Sequence, residues 1–400
     1  MSLFRKRAFR LLKPTARIRG PAMPSLRRCS MLCPAIALAA ALLVTAATGA
    51  VAQVIGLAAG SKHSLAVFED GSVMAWGGND FGQLGDGSFD NRATPVPVAG
   101  LGNARAIAAG AEHSFAVLED GRVMGWGGNE FGPLGDGSTS DRASPVLVSG
   151  LTNVTQIASG AFHAVALLED GTVKSWGLNH LGHLGNGTDE DRILPGSVPG
   201  LSDVRAIASG YDHTLALRSD GSVWAWGNND RGQLGDGSRE HRKSPIPVAG
   251  LAAVSAIAAG RGHSLALLKD GTIVAWGFNI RERATGTGEE LSALTPVPGV
   301  AGATGLAAGR GHGFAITENA VLAWGFNPVG QLGDGTTNGR SLPAPAMGLE
   351  QPVRVAAGVD HALALLSDGR VVAWGGNMFG QLGDGTTIDR HTAMTVPGLP

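Results

Sequence analysis

Several residue types are scarce in this 400-residue chain, and each scarcity excludes a kind of structure or chemistry. Cysteine occurs twice, at Cys29 and Cys33, so residues 53–400 carry neither a disulfide nor a reactive thiol. Tyrosine occurs once, at Tyr211, and the first 52 residues contain no aspartate or glutamate. Residues 53–400 also lack the helical spacing of apolar residues, which argues against a helical protein.

The first 52 residues differ in composition from the rest of the chain. Nine lysines and arginines precede or accompany an apolar run of 22 residues, Met31 to Ala52, which ends in small residues. This order is typical of a secretory signal peptide, with cleavage before Gln53. We therefore expect a leader at residues 1–52, a secreted or periplasmic protein, and no membrane association after cleavage. The alternative is an uncleaved anchor, because 22 apolar residues are long enough to span a bilayer.

The net charge of the chain becomes strongly negative once the predicted leader is left out. Nine of the 31 basic residues lie in residues 1–52, which leaves 22 basic against 33 acidic residues and a net charge of about −11. Nucleic-acid binding depends on positive charge that neutralises phosphates. We therefore expect no nucleic-acid partner.

An internal repeat of about 50 residues occupies the rest of the chain, from residue 54 to residue 400. Each of its seven copies has an opening glycine, a histidine three residues later and a tryptophan followed by glycine. The tryptophans are Trp76, Trp126, Trp176, Trp226, Trp276, Trp324 and Trp374. A repeat of this length indicates a solenoid, a propeller or an array. Seven copies fill the sequence, so residues 53–400 are predicted to form one domain.

The second copy shows the predicted strands of one unit. Apolar runs predict strands at residues 104–109, 113–118, 122–126 and 144–148. The pair Asp120-Gly121 predicts a tight hairpin between the second and third strands, because the turn needs positive φ, which glycine and aspartate tolerate.

Two further features of this copy concern its outer part. The glycine-rich segment 129–137 predicts a structured loop held inward by Leu134. Pro145 is predicted to start the fourth strand at an edge, where a missing backbone donor is tolerated.

Four antiparallel strands per unit in seven units favour an all-β, seven-bladed β-propeller. An open solenoid is the alternative, but its terminal repeats should be polar caps. The first copy is as apolar as the others at residues 54–60, and residues 392–399 complete the last copy. Radial closure also leaves only short, protected strand edges.

The motifs Gly-x-x-His-Ser, Asp-Gly-x-Val, Ala-Trp-Gly-x-Asn and Gly-Gln-Leu-Gly-Asp-Gly occur in this order in the repeat. With them, residues 54–400 resemble the regulator of chromosome condensation repeat family, which implies seven-bladed propellers. The best-known member is an exchange factor for the Ran GTPase, and secreted bacterial relatives include propellers that inhibit beta-lactamases. Copy three departs from the pattern at Asn186, and copy five replaces the last motif with residues 281–288.

The repeated polar residues are interpreted as structural rather than chemical. Equivalent histidines on successive blades lie too far apart to share one metal ion, so a structural hydrogen bond from each imidazole to a neighbouring backbone is favoured. Each Gly-Asp-Gly segment offers one carboxylate, whereas calcium takes six to eight oxygens, so turn stabilisation is favoured. No nucleophile and base stand apart from the repeat. We therefore expect no metal, no cofactor and no enzymatic activity.

Recognition of a partner is expected where the copies differ. The two residues between the opening glycine and the histidine vary, and they lie in a turn on one rim of the predicted wheel. Aromatic residues and arginines are typical anchors of protein interfaces. The candidate partner-binding residues are Phe162, Tyr211, Asp212, Arg261, Arg310 and Asp360. The alternative is that these variable turns are only solvated.

These observations predict an exported, monomeric, non-enzymatic propeller that binds another protein. One alternative is a regulator resembling guanine-nucleotide exchange factors. The resemblance implies that an Asp-His pair in this turn contacts the GTPase, and Asp212-His213 and Asp360-His361 match that pair. A carbohydrate-binding propeller is the other alternative, but Trp224 is the single tryptophan outside the repeated position. The irregular loop of copy five, residues 278–290, is interpreted as decay, with an adapted contact as the alternative.

Overall fold

The computed structural model describes residues 52–278 and 291–399. Residues 1–51 of the predicted leader and residues 279–290 of the irregular loop of copy five lie outside the described residues. Within the described residues, no helix is long and apolar enough to cross a membrane.

The described residues form 28 strands and no helix, numbered here β1 to β28 in chain order. Four consecutive strands make each blade. The first strands of the seven blades are β1 Val54–Ala59, β5 Ala104–Ala109, β9 Val154–Ser159, β13 Val204–Ser209, β17 Val254–Ala259, β21 Gly305–Ala308 and β25 Pro352–Ala357. The second strands are β2 His63–Phe68, β6 His113–Leu118, β10 His163–Leu168, β14 His213–Arg218, β18 His263–Leu268, β22 His312–Ile316 and β26 His361–Leu366.

The outer half of each blade holds the remaining two strands. The third strands are β3 Val73–Gly77, β7 Val123–Gly127, β11 Val173–Gly177, β15 Val223–Gly227, β19 Ile273–Gly277, β23 Val321–Gly325 and β27 Val371–Gly375. The fourth strands are β4 Arg92–Pro97, β8 Arg142–Leu147, β12 Arg192–Ser197, β16 Arg242–Pro247, β20 Leu291–Pro296, β24 Arg340–Pro345 and β28 Arg390–Thr395.

Each blade is a separate four-stranded sheet in which neighbours along the chain pair antiparallel. The first strands of successive blades pack against one another, so they line the axis of the ring. The second strands are almost entirely buried between blades, and the fourth strands are partly exposed at the outside. This is the burial expected for a radial arrangement of sheets.

The ring closes between the last blade and the first. Strand β1 packs against β25 and β26, and the Val359 amide donates to the Gly60 carbonyl at 3.3 Å. The Trp76 indole of blade 1 also donates to the Gln381 carbonyl of blade 7 at 2.9 Å. The predicted seven-bladed β-propeller is therefore confirmed, and the open solenoid is wrong for this chain.

The repeated tryptophans fill the gaps between adjacent sheets. Trp126 of blade 2 packs among Leu65, Leu84 and Val98 of blade 1, and it is fully buried. Its indole donates to the Gln83 carbonyl at 2.9 Å, so the buried polar atom is satisfied. The same indole-to-carbonyl bond joins blades 7 and 1, 2 and 3, 3 and 4, 4 and 5, and 6 and 7.

Two local predictions for the second copy need correction. The fourth strand begins at Arg142 rather than at residue 144, so Pro145 lies within it. A shift of register between Gly125 and Gly127 breaks the regular ladder there, and an edge strand tolerates a proline at such an irregularity. The third strand runs one residue later than predicted, from Val123 to Gly127.

The hairpin between β6 and β7 is confirmed, but only glycine has positive φ in it. Gly121 has φ of 78°, and its amide donates to the Leu118 carbonyl at 3.0 Å. This geometry is a type I turn followed by a left-handed glycine. Asp120 instead accepts a hydrogen bond from the Arg122 amide at 3.0 Å, which fixes the turn.

Candidate functional site at the mouth of the central channel

The seven turns between first and second strands meet around a central channel. A narrow cavity of about 160 Å³ on the axis is lined by the opening glycines of all seven copies and by residues next to them. The glycines are Gly60, Gly110, Gly160, Gly210, Gly260, Gly309 and Gly358. The sequence placed these turns on a rim, and the structure locates them at the inner edge of one face. We call the two residues after each of these glycines the mouth turns.

Each opening glycine is required because neighbouring atoms lie too close to leave room for a side chain. A Cβ on Gly60 would lie 2.3 Å from Cε1 of His63 and 2.6 Å from the carbonyl oxygen of Gly110 on the next blade. Such distances exclude any larger residue without displacement of the backbone. The glycine and histidine therefore form a constant frame, and the mouth turns between them are the positions that vary.

The repeated histidines are buried and bind their neighbours in the frame. Nε2 of His63 lies 2.8 Å from Oγ of Ser114 on the next blade, and Ser114 donates its hydroxyl proton to the Gln83 carbonyl at 2.8 Å. A hydroxyl has one proton, so Nε2 of His63 is the donor. Burial, together with His361 and His113 nearby, lowers the pKa of His63 to about 3. His63 therefore has the predicted structural role, but its partner is a side-chain hydroxyl on the next blade and not the expected backbone group.

Similar bonds occur at four other histidines of the ring. They join His113 to Ser159, His163 to Ser209 and Thr214, His213 to Ser264, and His361 to Ser64. At the two remaining histidines, His263 and His312, both ring nitrogens lack a hydrogen-bond partner among the described residues. In the next blade, the position equivalent to Ser114 has no hydroxyl at these two sites. It is Gly313 in the blade after His263 and Ala362 in the blade after His312.

Each of these Gly-Asp-Gly aspartates forms an ion pair with the arginine six residues later in the chain. This pairing was not predicted from the sequence. Asp86 accepts from Nε of Arg92 at 2.8 Å and from the Ser88 amide at 2.9 Å. Burial acts to raise the pKa of Asp86, but bonds from Ser88 and Arg92 outweigh it, so the pKa is lowered. The equivalent pairs are Asp136 with Arg142, Asp236 with Arg242, Asp334 with Arg340, and Asp384 with Arg390. Turn stabilisation is thus confirmed for these aspartates.

Two of the candidate binding residues contact each other across blades 4 and 5. The guanidinium carbon of Arg261 lies 5.0 Å from the centre of the Tyr211 ring. Such stacking on an aromatic face is favourable and leaves the N–H groups at the edge of the guanidinium available. Burial raises the pKa of the Tyr211 hydroxyl, so it stays protonated at neutral pH.

Blades 6 and 7 bring together another candidate pair. Nη1 of Arg310 lies 3.9 Å from Oδ2 of Asp360, which is longer than a direct charge-assisted hydrogen bond. Burial raises the pKa of Asp360, while Arg310 and Arg261 act to lower it. Both arginines therefore act on the same carboxylate.

A cavity of about 360 Å³, here called the mouth cavity, collects four of the six candidates. It is lined by Tyr211, Arg261, Arg310 and Asp360, together with Lys62 and other residues of blades 1, 6 and 7. Asp212 lines an adjoining cavity of about 340 Å³, which shares Arg261 and Arg310. Phe162 lies apart from both and packs edge-on against Phe131, with ring centres 5.4 Å apart.

Lys62 and Phe379 belong to the mouth cavity but were missed in the sequence. Nζ of Lys62 lies 4.5 Å above the Phe379 ring, which comes from the outer loop of blade 7. The available signal for Lys62 was its place in the mouth turn of copy one. Phe379 carries no such signal, because it lies over 300 residues away from Lys62 in the chain and meets it only through ring closure.

In each Asp-His pair that the resemblance indicated, the two side chains differ in exposure. His213 and His361 are fully buried, and they bind Ser264 and Ser64. Asp212 and Asp360 are partly exposed at the mouth. Only the aspartate of each pair is therefore accessible to a partner. Oδ1 of Asp212 lies 3.6 Å from Nε2 of the buried His183.

Trp224 does not form a repeated aromatic pocket. It is partly buried against the core between blades 3 and 4, and the guanidinium of Arg218 lies 5.9 Å from its ring. Among residues 52–278 and 291–399, no group of three or more histidines or carboxylates is arranged to hold a metal ion.

The fold and the mouth define a seven-bladed propeller with a constant frame and a variable channel mouth. A family model described as the RCC1-like domain matches residues 43–299 and 150–400. The chain therefore belongs to the RCC1-like domain family.

Solved structures share the fold at low sequence identity. Human WBSCR16 superposes with a TM-score of 0.70 at 23% identity, over 79% of this chain and 88% of that one. Prp20p of Saccharomyces cerevisiae, whose binding properties to Gsp1p and histones are described with its structure, superposes with a TM-score of 0.72 at 23% identity. That match covers 87% of this chain and 88% of Prp20p.

Sequence relatives match only short segments. The E3 ubiquitin-protein ligase HERC2 of Homo sapiens is 49% identical over 49 residues, which is 12% of this chain and 1% of HERC2. The mitochondrial RCC1 domain-containing protein RUG3 of Arabidopsis thaliana is 34% identical over 55 residues, 14% of this chain and 12% of RUG3. The matched part is thus a small fraction of each relative's length.

Proposed function

We propose that this chain is an exported propeller that binds another protein at its channel mouth and performs no chemistry of its own. One observation carries the proposal: the two positions between the constant opening glycine and the constant histidine vary between copies, and these turns surround one end of the channel. A repeated frame serves packing, whereas residues that break the repeat are free to serve recognition.

The chemistry of the mouth supports a protein partner. Tyr211, Arg261 and Arg310 line its cavities, and tyrosine and arginine are the residue types enriched at interface hot spots. The stacking of Arg261 on Tyr211 also holds both side chains in place before binding, which reduces the entropy lost in a complex.

Export is supported by the composition of residues 1–52, with their basic stretch, apolar run and small residues before Gln53. Cell fractionation with mass spectrometry of the amino terminus tests it. We expect a product that begins at Gln53 outside the cytoplasm. Recovery of the full chain in the cytoplasm, with residues 1–52 attached, would instead favour an intracellular regulator.

Affinity capture tests the binding surface. We expect Tyr211→Ala and Arg261→Ala each to reduce recovery of the main partner at least about tenfold, because hot-spot truncations cost about 2 kcal/mol or more. Arg122→Ala, in the hairpin at the other end of blade 2, is the matched control and should capture as well as the wild type. If both mouth variants capture every partner normally, the mouth is not the binding surface.

A regulator that acts on a small GTPase is a second candidate, favoured by the structural similarity to Prp20p, for which binding to Gsp1p is described. The buried His213 and His361 argue against direct use of the Asp-His pairs. A nucleotide-release assay with a small GTPase distinguishes the candidates. We expect no acceleration, and acceleration lost in Asp212→Ala and Asp360→Ala would favour the second candidate.

A further inference from the structure

We propose that the mouth cavity is a carboxylate pocket, which binds an aspartate or glutamate side chain flanked by apolar residues in a segment of the protein partner. The inference rests on the proposed function, because it specifies which kind of segment the mouth binds. The resemblance implies a GTPase contact at Asp360, but it assigns no acidic segment to the arginines of this cavity.

The first support is charge. Lys62, Arg261 and Arg310 line the cavity with three cationic groups, while Asp360 and Asp389 provide two carboxylates. The lining groups thus carry one net positive charge, and outside the lining Asp80 lies 4.0 Å from Nζ of Lys62. Residues 53–400 as a whole carry about eleven net negative charges. One carboxylate from a partner would neutralise it, and burial of a charge is favourable only when it is paired.

Neither carboxylate that lines the cavity forms a direct hydrogen bond with Arg310. Oδ1 of Asp389 accepts a hydrogen bond from the Asn377 amide at 2.7 Å, so it holds the outer loop of blade 7 in place. Asp360 remains 3.9 Å from Arg310, too far for a direct hydrogen bond. Donors of Arg310 are therefore available to another acceptor.

Arg261 is the second donor. Within the described ranges its guanidinium contacts the Tyr211 ring and has no carboxylate partner. A guanidinium placed over a ring keeps N–H donors, and two of these can bind the two oxygens of a carboxylate. Because Arg261 and Arg310 both act on Asp360, their fields overlap inside the same cavity.

Apolar side chains surround these charges and specify the neighbours of the acidic residue. Val329, Val359, Phe379 and Met378 line the cavity, and Met378 is 74% exposed. An exposed methionine is a flexible apolar contact that adapts to different partners. A carboxylate beside a leucine, methionine or aromatic residue would use both parts of the cavity.

Carboxylates on blades 1 and 2 of the same face favour one orientation of an acidic partner segment. Glu112 is partly buried, and burial raises its pKa. Lys62 acts to lower this pKa, while Asp141, Asp80 and Glu130 add to the increase. An acidic segment would be repelled from this side and attracted to Arg261 and Arg310. The charge pattern therefore favours one placement of an acidic segment on the face.

Selection from a displayed library of random heptapeptides against the immobilised wild-type propeller tests the inference. We expect the recovered peptides to be enriched in aspartate or glutamate next to an apolar residue. Their affinity should fall at least tenfold when the acid is replaced by its amide. It should fall equally with the variant that combines Arg261→Gln and Arg310→Gln, and rise as salt is lowered.

Arg370→Gln, in the hairpin at the opposite end of blade 7, is the matched control and should leave peptide binding unchanged. The variants should melt at the wild-type temperature, since Arg261 and Arg310 are exposed. The inference is overturned if no peptide is recovered, if acids are not enriched, or if the arginine variants bind equally well. Loss of whole-partner capture in Arg261→Ala without acid enrichment would reject the pocket while leaving the proposed function intact.

Discussion

Nε2 of His361 in the last blade lies 2.9 Å from Oγ of Ser64 in the first, although 297 residues separate them in the chain. The Ser64 hydroxyl donates to the Gln381 carbonyl at 2.8 Å, so His361 is the donor in the bond to Ser64. Ser264 and His213 form the same arrangement between blades 4 and 5. The closing seam of the ring is thus built like an internal one.

Ser64→Ala is expected to destabilise the propeller by about 1–3 kcal/mol, because it leaves buried polar groups without a partner. Ser264→Ala removes the equivalent bonds at an internal seam and should cost about the same. Thermal unfolding followed by circular dichroism measures both. A wild-type melting temperature for Ser64→Ala, with a clear loss for Ser264→Ala, would show that the closing seam does not form.

Ala362→Ser is expected to stabilise the propeller by about 1 kcal/mol. Position 362 corresponds to Ser64, and a hydroxyl there would supply the missing partner of Nε2 in His312 and a donor to the Gln331 carbonyl. Ala164→Ser is the control, because His113 already binds Ser159 at 2.7 Å and gains less. A destabilised Ala362→Ser variant would contradict this account of the seam.

Stability is expected to fall as the pH drops below about 6.5. Burial lowers the pKa of His63, His113 and His312 to about 3 and that of His263 and His361 to about 4. Above pH 6.5 these histidines are neutral in both states. Below it the unfolded chain binds protons that the folded chain binds only near pH 3–4, which costs about 1.4 kcal/mol per proton and pH unit.

Urea unfolding at pH 8, 7, 6 and 5 checks this dependence. The midpoint should change little from pH 8 to 7 and fall steeply from pH 6 to 5. An unchanged midpoint between pH 7 and 5 would mean that the ring of histidines is not buried in the neutral form.

Gly85→Ala is expected to cost about 1–3 kcal/mol more than Gly100→Ala. Both glycines have nearly the same positive φ, 68° and 72°, so both substitutions carry a similar backbone cost. A Cβ at Gly85 would lie 2.7 Å from Nε1 of Trp126, whereas nothing lies within 4 Å of one at Gly100. Equal losses in thermal unfolding would mean that the indole does not need this close approach.

Much of the fold was predictable from the sequence because the repeat determines it. Strands β5 and β6 begin and end where the second copy predicted, since the Asp120-Gly121 hairpin and the opening glycine bound them. Strand β8 was less predictable. Its start at Arg142 depends on the side chain's bond to Asp136 and on a shifted register, which apolar spacing does not encode.

The sequence predicted that the candidate residues lie in turns at one end of the ring, but not which of them contact each other. Variation between copies identified the mouth turns, because constant positions belong to the frame. The contact of Arg261 with Tyr211, and of Lys62 with Phe379, depends on the angle between blades and on closure of the ring. Sequence spacing carries no such information, so the cavity that these residues share was not foreseen.

Site-specific photo-crosslinking in intact cells tests the central claim, recognition by the variable mouth, most directly. A photoreactive phenylalanine in place of Tyr211 should crosslink to one protein of defined mass, and the same group in place of Arg122 at the opposite end of the propeller should not. Crosslinks that arise from position 122 and are absent from position 211 would contradict the claim.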